Sequence, residues 1–490
     1  VGSGRSGGGG GGDANSGGGA ASGWILAPDA LGHEGDSNLK GAAAKQHKGA
    51  YAAVVVMACK RLDYLKRTVT SILDVMANSS PEDEYRAKFP LFISQDGPNL
   101  SVQKYAQGHP EFYYLQRIED HFPRTHTRAR WDNPAYYRIS AHYKFMMTKL
   151  FEDLGYERVI ILEDDMQLAP DFFGYFEAAG KVMDGDPSVY TVSSWNDNGM
   201  AALAKDPKRL FRTSYFPGLG WMMRRELWEE LGPHWPKEHW DHWMRLNTTS
   251  RGRECVIPEV NRNYNIGETG ANMKTDVYNK YLKHMSLNHV NVKDLGDLSY
   301  LKGAAYRSWM VNLIENAVVW QWHSENFVSW ASREALIPGG GGASRPILAV
   351  YRSENYVNLA RHFNIWPYPR GHHQFAAVLY VSGFTVVLAD ERYCPYLPDH
   401  LKLRPSGTLQ PVAANRAQSC IAACGDRGLR CHAPDFWFLN SCEKLAEYFP
   451  CEAGCALVLG EDIPNYVVGK DMDTFQKCLV TQKQSSCAAS

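Results

Sequence analysis

The stretch VIILEDDMQLAPDFFGYF, residues 159–176, decides the fold. Arg158–Leu162 is apolar, β-branched and too short for a helix, so it reads as a buried strand. It runs directly into Glu163-Asp164-Asp165. Pro170 then opens a helix carrying Phe172, Phe173 and Phe176. Like carboxylates held at a strand end are costly unless a cation or hydrogen-bond donors offset them. Oxygen ligands suit hard divalent cations, so Mg²⁺ or Mn²⁺ with a diphosphate is the natural partner. Surface loops carry acidic triplets too; placement at a strand end is what favours the metal.

The same grammar continues outward. Tyr51–Met57 is a Val-rich run read as a strand, and Leu62, Leu65, Val69, Ile72, Leu73 and Met76 fall at helical spacing within Arg61–Ala77. Leu91–Ser94 is a second strand, closed by the turn Gln95-Asp96-Gly97-Pro98. A helical stretch spans Ala135–Leu154, and a further strand, Val189–Ser193, ends at Trp195-Asn196-Asp197-Asn198-Gly199. Alternation of strand and helix predicts an α/β fold, a mostly parallel sheet with helices on both faces. Ligands of such sheets sit at the carboxyl ends of the strands. Three polar turns, Gln95-Asp96, Glu163-Asp164-Asp165 and Asn196-Asp197, are therefore expected to converge on a ligand site.

Composition excludes several classes. The 490 residues carry 52 basic and 53 acidic side chains, a net charge of −1, and no basic stripe interleaved with aromatics, so nucleic acid is not an expected partner. Hydrophobic residues make up 44%, enough to bury a core. No apolar run approaches the ~20 residues of a membrane helix. The chain opens on Val and carries no signal peptide, so a membrane anchor is expected upstream. There is no GxxxxGK[ST] loop, no GxGxxG after the first strand and no HExxH, which argues against P-loop, dinucleotide and zincin chemistry.

Four segments are expected. Residues 1–49, with eleven glycines in the first 22, form a flexible stem. Residues 50–336 form the catalytic domain, 343–392 a small α/β lobe beyond Gly339–Gly342, and 393–490 a cysteine-rich module. Nine of the eleven cysteines lie between Cys394 and Cys487, which reads as a disulfide framework in a secretory lumen, with four bridges expected. The spacings Cys420-x3-Cys424 and Cys451-x3-Cys455 leave a zinc site as the alternative. Sequons at Asn78, Asn99 and Asn247 agree with a lumenal chain.

AVVVMACK at 53–60, SQDG at 94–97, AYYRISAHYKF at 135–145, the 159–176 stretch, SSWNDNG at 193–199, FPGLGW at 216–221 and HWPKEHWDHWMR at 234–245 together resemble the N-acetylglucosaminyltransferase I family, its plant members above all. The resemblance runs in order through residues 51–310, and 346–390 looks like that family's small C-terminal domain. It implies a nucleotide-sugar (GT-A) fold. It also implies inverting transfer of GlcNAc from UDP-GlcNAc, with Mn²⁺, to O2 of an α-1,3-linked mannose on high-mannose N-glycans, initiating hybrid and complex chains. The setting implied is the Golgi lumen, as a type II membrane protein.

Carried over by position, Arg61, Asp96, His142 and Asp164 match residues that contact the nucleotide sugar. Asp165 matches the carboxylate that binds the metal, and Asp241 the catalytic base. Asn272 aligns with a serine that binds the donor phosphate. On bare physics, Arg61 could simply serve the first helix and His142 could be a core histidine. Asp241, between Trp240 and Trp243, is expected to be desolvated toward the pKa a base wants. Trp195, Trp221, Trp240 and Trp243 are candidate sugar-stacking faces, with a core role as the rival.

The sequence also departs from the family. Animal members pair the cysteines matching Cys59 and Cys255, but Gly97 and Thr191 stand at the partner positions here. Residues 420–487 instead resemble the cysteine-rich C-terminal part of N-acetylglucosaminyltransferase V. Two alternatives remain: a protein O-mannose β-1,2-N-acetylglucosaminyltransferase, which Gly270-x-Asn272-Met273 resembles more, and a catalytically dead glycan-binding protein.

Overall fold

The computed structural model describes residues 49–118, 134–268, 275–322, 326–337, 342–352, 354–405, 407–481 and 485–489. Two compact units result. The first comprises residues up to Trp309 together with Arg370–His373, and the second Met310–Pro369 with Gln374 onward.

The first unit is built on an eight-stranded sheet. Its strands are β1 (Ala53–Ala58), β2 (Leu91–Asp96), β3 (Phe112–Arg117), β4 (Arg158–Glu163), β6 (Val189–Ser193), β7 (Leu210–Thr213), β8 (Trp221–Arg224) and β9 (Glu254–Pro258), in the order β3-β2-β1-β4-β8-β6-β9-β7, while β5 (Met166–Leu168) and β10 (Asn263–Asn265) pair antiparallel outside it. β1 pairs in parallel with both β2 and β4, Val55 lying opposite Phe92 on one side and Ile161 on the other. All six residues of β1 are buried, which is why it reads as a continuous apolar run rather than an alternating one. Only β7 and β8 run against the rest. The expected mostly parallel α/β sheet is thus present with two reversed strands in its second half.

Two consequences place the site. β2, β4 and β6 point the same way, so the three polar turns leave from one edge of the sheet. Helix α1 (Leu62–Ala77) packs Leu65, Val69 and Ile72, all fully buried, beneath the turn after β4. Truncating any one of them to Ala would cost about 2–5 kcal/mol. Thr68, on the same helix, grips that turn from both sides. Its hydroxyl donates to the Asp164 carbonyl at 2.8 Å and accepts from Met166 N at 2.9 Å.

The long stretch after residue 134 begins as an ordinary helix, α2 (Pro134–Met147), and widens to five-residue spacing over Thr148–Asp153, where Leu154 N bonds to Lys149 O at 2.9 Å. The Phe-rich stretch after Pro170 forms α3 (Phe172–Gly185). Among the described residues no helix is long and apolar enough to cross a membrane.

The second unit holds a four-stranded sheet. Strands β11 (Val318–Val319), β12 (Ile347–Tyr351), β13 (Ala376–Val381) and β14 (Phe384–Asp390) take the order β11-β12-β14-β13. The β13–β14 hairpin turns on Ser382 and Gly383, both at positive φ, 51° and 86°. Three disulfides follow, Cys431–Cys487, Cys442–Cys455 and Cys451–Cys478. Cys394, Cys420 and Cys424 are unpaired, so three bridges form where four were expected. Cys420 and Cys424 sit one turn apart on a single short helix, Cys420–Gly425.

Candidate active site

The acidic turn after β4 is sequestered: Asp164 and Asp165 are each 4% exposed. Among the described residues one cation answers them. Arg61, at the start of α1, contacts Asp164 through Nη2, reaches its second oxygen from Nε at 3.4 Å, and places Nη2 2.8 Å from Asp165. That single guanidinium does not balance the charge. Burial pushes the Asp164 carboxyl up to about 6 despite Arg61, and burial likewise raises Asp165. Glu163 is raised well above the ordinary carboxylate range, first by burial and then by the neighbouring Asp165. The turn is short of positive charge. Its far flank is closed by a glycine that only a missing Cβ lets approach: Gly267 N bonds to Asn265 Oδ1 at 2.8 Å, and a Cβ at Gly267 would collide with the Asp165 carboxylate.

β2 delivers the second group. Asp96 lies opposite Arg117 in the β2–β3 register and pairs with its Nη1 at 2.7 Å. His142, on α2, is buried with Nε2 2.8 Å from Ser94 Oγ, and burial pushes its pKa down to about 4, so the ring is neutral at pH 7. The Cys59 thiol, just past β1, is raised by partial burial and then by both Asp96 and Asp164, which puts these two carboxylates around one corner. Sequence reading missed Arg117 and Ser94. Ser94 lay within a quoted motif, but Arg117 sits on a strand whose aromatic–polar mixture gave no clear period.

Asp241 stands on α4 (Trp240–Arg245), entered through His239 in the left-handed region at φ 49°. Trp240 roots this helix: its ring lies 4.0 Å from Tyr143 and stacks with Trp221 at 5.8 Å and Trp235 at 6.0 Å. Asp241 itself is not desolvated as expected. Consecutive helical residues point about 100° apart, so Trp240 faces inward while the Asp241 side chain keeps 32% exposure and pairs with Arg245 Nη1 at 2.7 Å. Its charge still reaches Glu163 and Tyr143. Of the four proposed sugar-stacking tryptophans, Trp195, Trp221 and Trp240 are core, and only Trp243 is partly exposed.

The third turn is occupied by the fold. Asn196 N donates to Asn261 Oδ1 at 2.6 Å, Asn196 Nδ2 donates to the Glu259 carbonyl at 3.0 Å, and Asp197 pairs with Arg370 at 2.8 Å. Two turns, not three, present side chains to the candidate site. Asn272 lies outside the described residues. Thr191 does stand opposite Cys255, on paired strands, and donates to its sulfur at 3.0 Å in place of a disulfide.

Residues 36–334 match the model of the GNT-I family. The α-1,3-mannosyl-glycoprotein 2-β-N-acetylglucosaminyltransferase of Arabidopsis thaliana is 44% identical over 267 residues, 54% of this chain and 58% of that protein. The chain thus spans a little over half the length of this curated relative. A galactosyltransferase solved with donor and acceptor sugar analogues (12% identity, 39% of this chain and 69% of that one) and mouse xyloside xylosyltransferase 1 (11% identity, 41% and 77%) superpose with TM-scores of 0.23 and 0.24, too low to carry weight. The family match contains Arg61, Asp96, His142, Asp164, Asp165 and Asp241 and ends before the cysteine-rich module, so the chain belongs to the GNT-I family.

Proposed function

We propose that this chain is an inverting glycosyltransferase that moves GlcNAc from UDP-GlcNAc to O2 of an α-1,3-linked mannose on N-glycans. The observation that carries the reading is the buried acidic turn at the end of β4, where three carboxyls meet one arginine among the described residues, with Asp241 within electrostatic reach of it.

The donor set fits a divalent cation. It is all oxygen, its carboxyls are raised by burial despite Arg61, and glycine at 267 lets the backbone lie directly against the Asp165 carboxylate. Among the described residues no three His, Cys, Asp or Glu side chains form a cage, so Asp165 would hold Mn²⁺ jointly with the oxygens of the donor. Bound there, the ion would supply positive charge to the diphosphate. Arg61 holds Asp164 and Asp165 in place, and Asp96 and His142 line the adjoining strand end. Asp241 takes the proton from the mannose O2 hydroxyl as the O2–C1 bond forms and the bond from C1 to UDP breaks. A single displacement turns an α-linked donor into a β-1,2 product. The neutral His142 donates or accepts one hydrogen bond and adds no charge to the site.

The three disulfides support an oxidising lumen, in keeping with a Golgi setting for a transferase of this family. Offering a Man5 N-glycan and an O-mannosyl peptide side by side with UDP-GlcNAc and Mn²⁺ tests the reading. GlcNAc appearing on the N-glycan supports it; transfer only to the peptide replaces it with the O-mannose enzyme; UDP release from neither leaves a binding protein.

A further inference from the structure

Arg370 lies beyond the residues that match the family, yet it belongs to the same compact unit as the acidic turn and Asp241. Its guanidinium pairs with the buried Asp197 at 2.8 Å and lies against the Tyr215 ring, 5.3 Å from the centroid. Arg245 lies against the same ring at 4.7 Å. Arg245 is pinned twice more, donating from Nε to the Phe216 carbonyl at 3.0 Å and from Nη1 to Asp241 Oδ2 at 2.7 Å. A continuous line of contacts therefore runs Asp197–Arg370–Tyr215–Arg245–Asp241.

The far end of that line is fastened to the sheet. Asn198 Nδ2 donates to the Arg370 carbonyl at 2.9 Å, Ser214 N donates to the His372 carbonyl at 2.7 Å, and His373 Nδ1 lies 2.7 Å from Glu254. Gly371 makes this approach possible: it sits at φ 60°, and a Cβ there would come within 2.8 Å of Asn198 Nδ2. Side chains fixed at both ends hold a shared ring, and so a guanidinium, in one place.

We infer that Tyr215 and Arg370 are positioning residues for Asp241, acting through Arg245. This rests on the reading of Asp241 as the base. Arg245 occupies Oδ2, which leaves Oδ1 to receive the acceptor proton. A carboxylate on a short, part-exposed helix has several rotamers; the line of contacts selects one. Because transfer needs that oxygen within hydrogen-bond reach of the hydroxyl, loosening the line slows the chemical step and leaves donor binding alone.

The test uses the full chain with UDP-GlcNAc and the acceptor it glycosylates, with thermal unfolding recorded for each variant. Tyr215→Leu removes the ring from a half-buried site and should lower kcat about tenfold, with KM for UDP-GlcNAc within about twofold of the parent. Tyr215→Phe keeps the ring and should restore kcat. Arg245→Met should lower kcat as well, and adding Tyr215→Leu to it should cost nothing more, because both act through one contact. Should Tyr215→Leu not fold, Arg370→Lys, which keeps a charge beside Asp197 but loses the planar stack, carries the same expectation. A folded Tyr215→Leu with unchanged kcat, a loss confined to KM, or losses that multiply in the double variant would each overturn the inference. Asp241→Asn separates the two readings. Near-normal turnover there removes the base, whereas loss there beside an indifferent Tyr215 removes only the positioning role. A parent chain that transfers to no acceptor defeats both.

Discussion

Arg61 sets Nη2 2.8 Å from Asp165 while also holding Asp164, so among the described residues one guanidinium pairs with two carboxylates of the turn and leaves Asp165 the charge with which it would hold a divalent cation. Asp165→Asn should leave Arg61 paired with Asp164 yet abolish the metal-dependent part of UDP binding. Calorimetry with Mn²⁺ should show affinity falling at least about tenfold, while affinity in EDTA barely moves. Equal UDP affinity with and without Mn²⁺ in the parent would disprove a metal held at Asp165.

Asp241→Asn keeps shape and loses the proton acceptor. Turnover should fall by at least ~10²-fold, the usual worth of a general base, with UDP-GlcNAc binding intact. The variant also exchanges an ion pair with Arg245 for a weaker hydrogen bond, a part-exposed contact whose stability cost should be small. Loss of activity accompanied by a large drop in unfolding temperature would point to structure instead.

His142 gives the acid limb of stability. Buried against Ser94, it binds its proton near pH 4 in the folded chain and near 6.5 when unfolded. Above pH 6.5 it is neutral in both states and contributes no pH dependence. As pH falls from about 6.5 to about 4, only the unfolded chain takes up the proton, so stability drains by up to ~3 kcal/mol. The raised carboxyls of Glu163 and Asp164 work in the opposite direction over part of that range, so the comparison must be between variants. Relative to its own value at pH 7.5, His142→Asn should lose less stability at pH 4.5 than the parent does. Parallel curves would mean His142 titrates normally.

Much of this was legible because local and tertiary signals agreed. The β4 run, the acidic turn and α1 could be read because their apolar residues are buried by the fold that their spacing implies. β7 could not. Its Leu-Phe-Arg-Thr carries a charge that suggests a surface, but Arg212 is 2% exposed and held by Glu254 at 2.9 Å and Asp186 at 3.1 Å, partners 42 and 26 residues away. Sequence proximity to tryptophan also misled. Trp240 and Asp241 are neighbours in the chain but point about 100° apart on the helix, so the aromatic pile tells where the helix is anchored and not how wet the carboxylate is. The turn at Asn196-Asp197 was as polar as the acidic one; only the partners Asn261, Glu259 and Arg370, all distant in sequence, mark it as internal.

The cysteine-rich module should prove stapled and dispensable to the chemistry. The lobe continues past Arg392: Cys394 and Leu397 are buried, and Leu403 N bonds to the Glu391 carbonyl at 3.0 Å, so a cut after Pro405 spares those contacts. The truncated chain should transfer to a small mannoside within a few-fold of the full one, since every candidate site residue lies at or before Arg370. In the full chain, alkylation without reductant should label Cys420 and Cys424, which are partly exposed. It should spare Cys255 and Cys394, buried thiols pushed up to about 12 and about 11, until the chain is unfolded. Peptide mapping should recover Cys431–Cys487, Cys442–Cys455 and Cys451–Cys478. The first of these closes the longest loop, a separation of 56 residues, and on chain entropy its loss should cost the module about 4 kcal/mol against about 3 for the 13-residue separation of Cys442–Cys455. A fourth bridge joining Cys420 or Cys424 to Cys394, or a folded truncation that transfers nothing, would contradict this account.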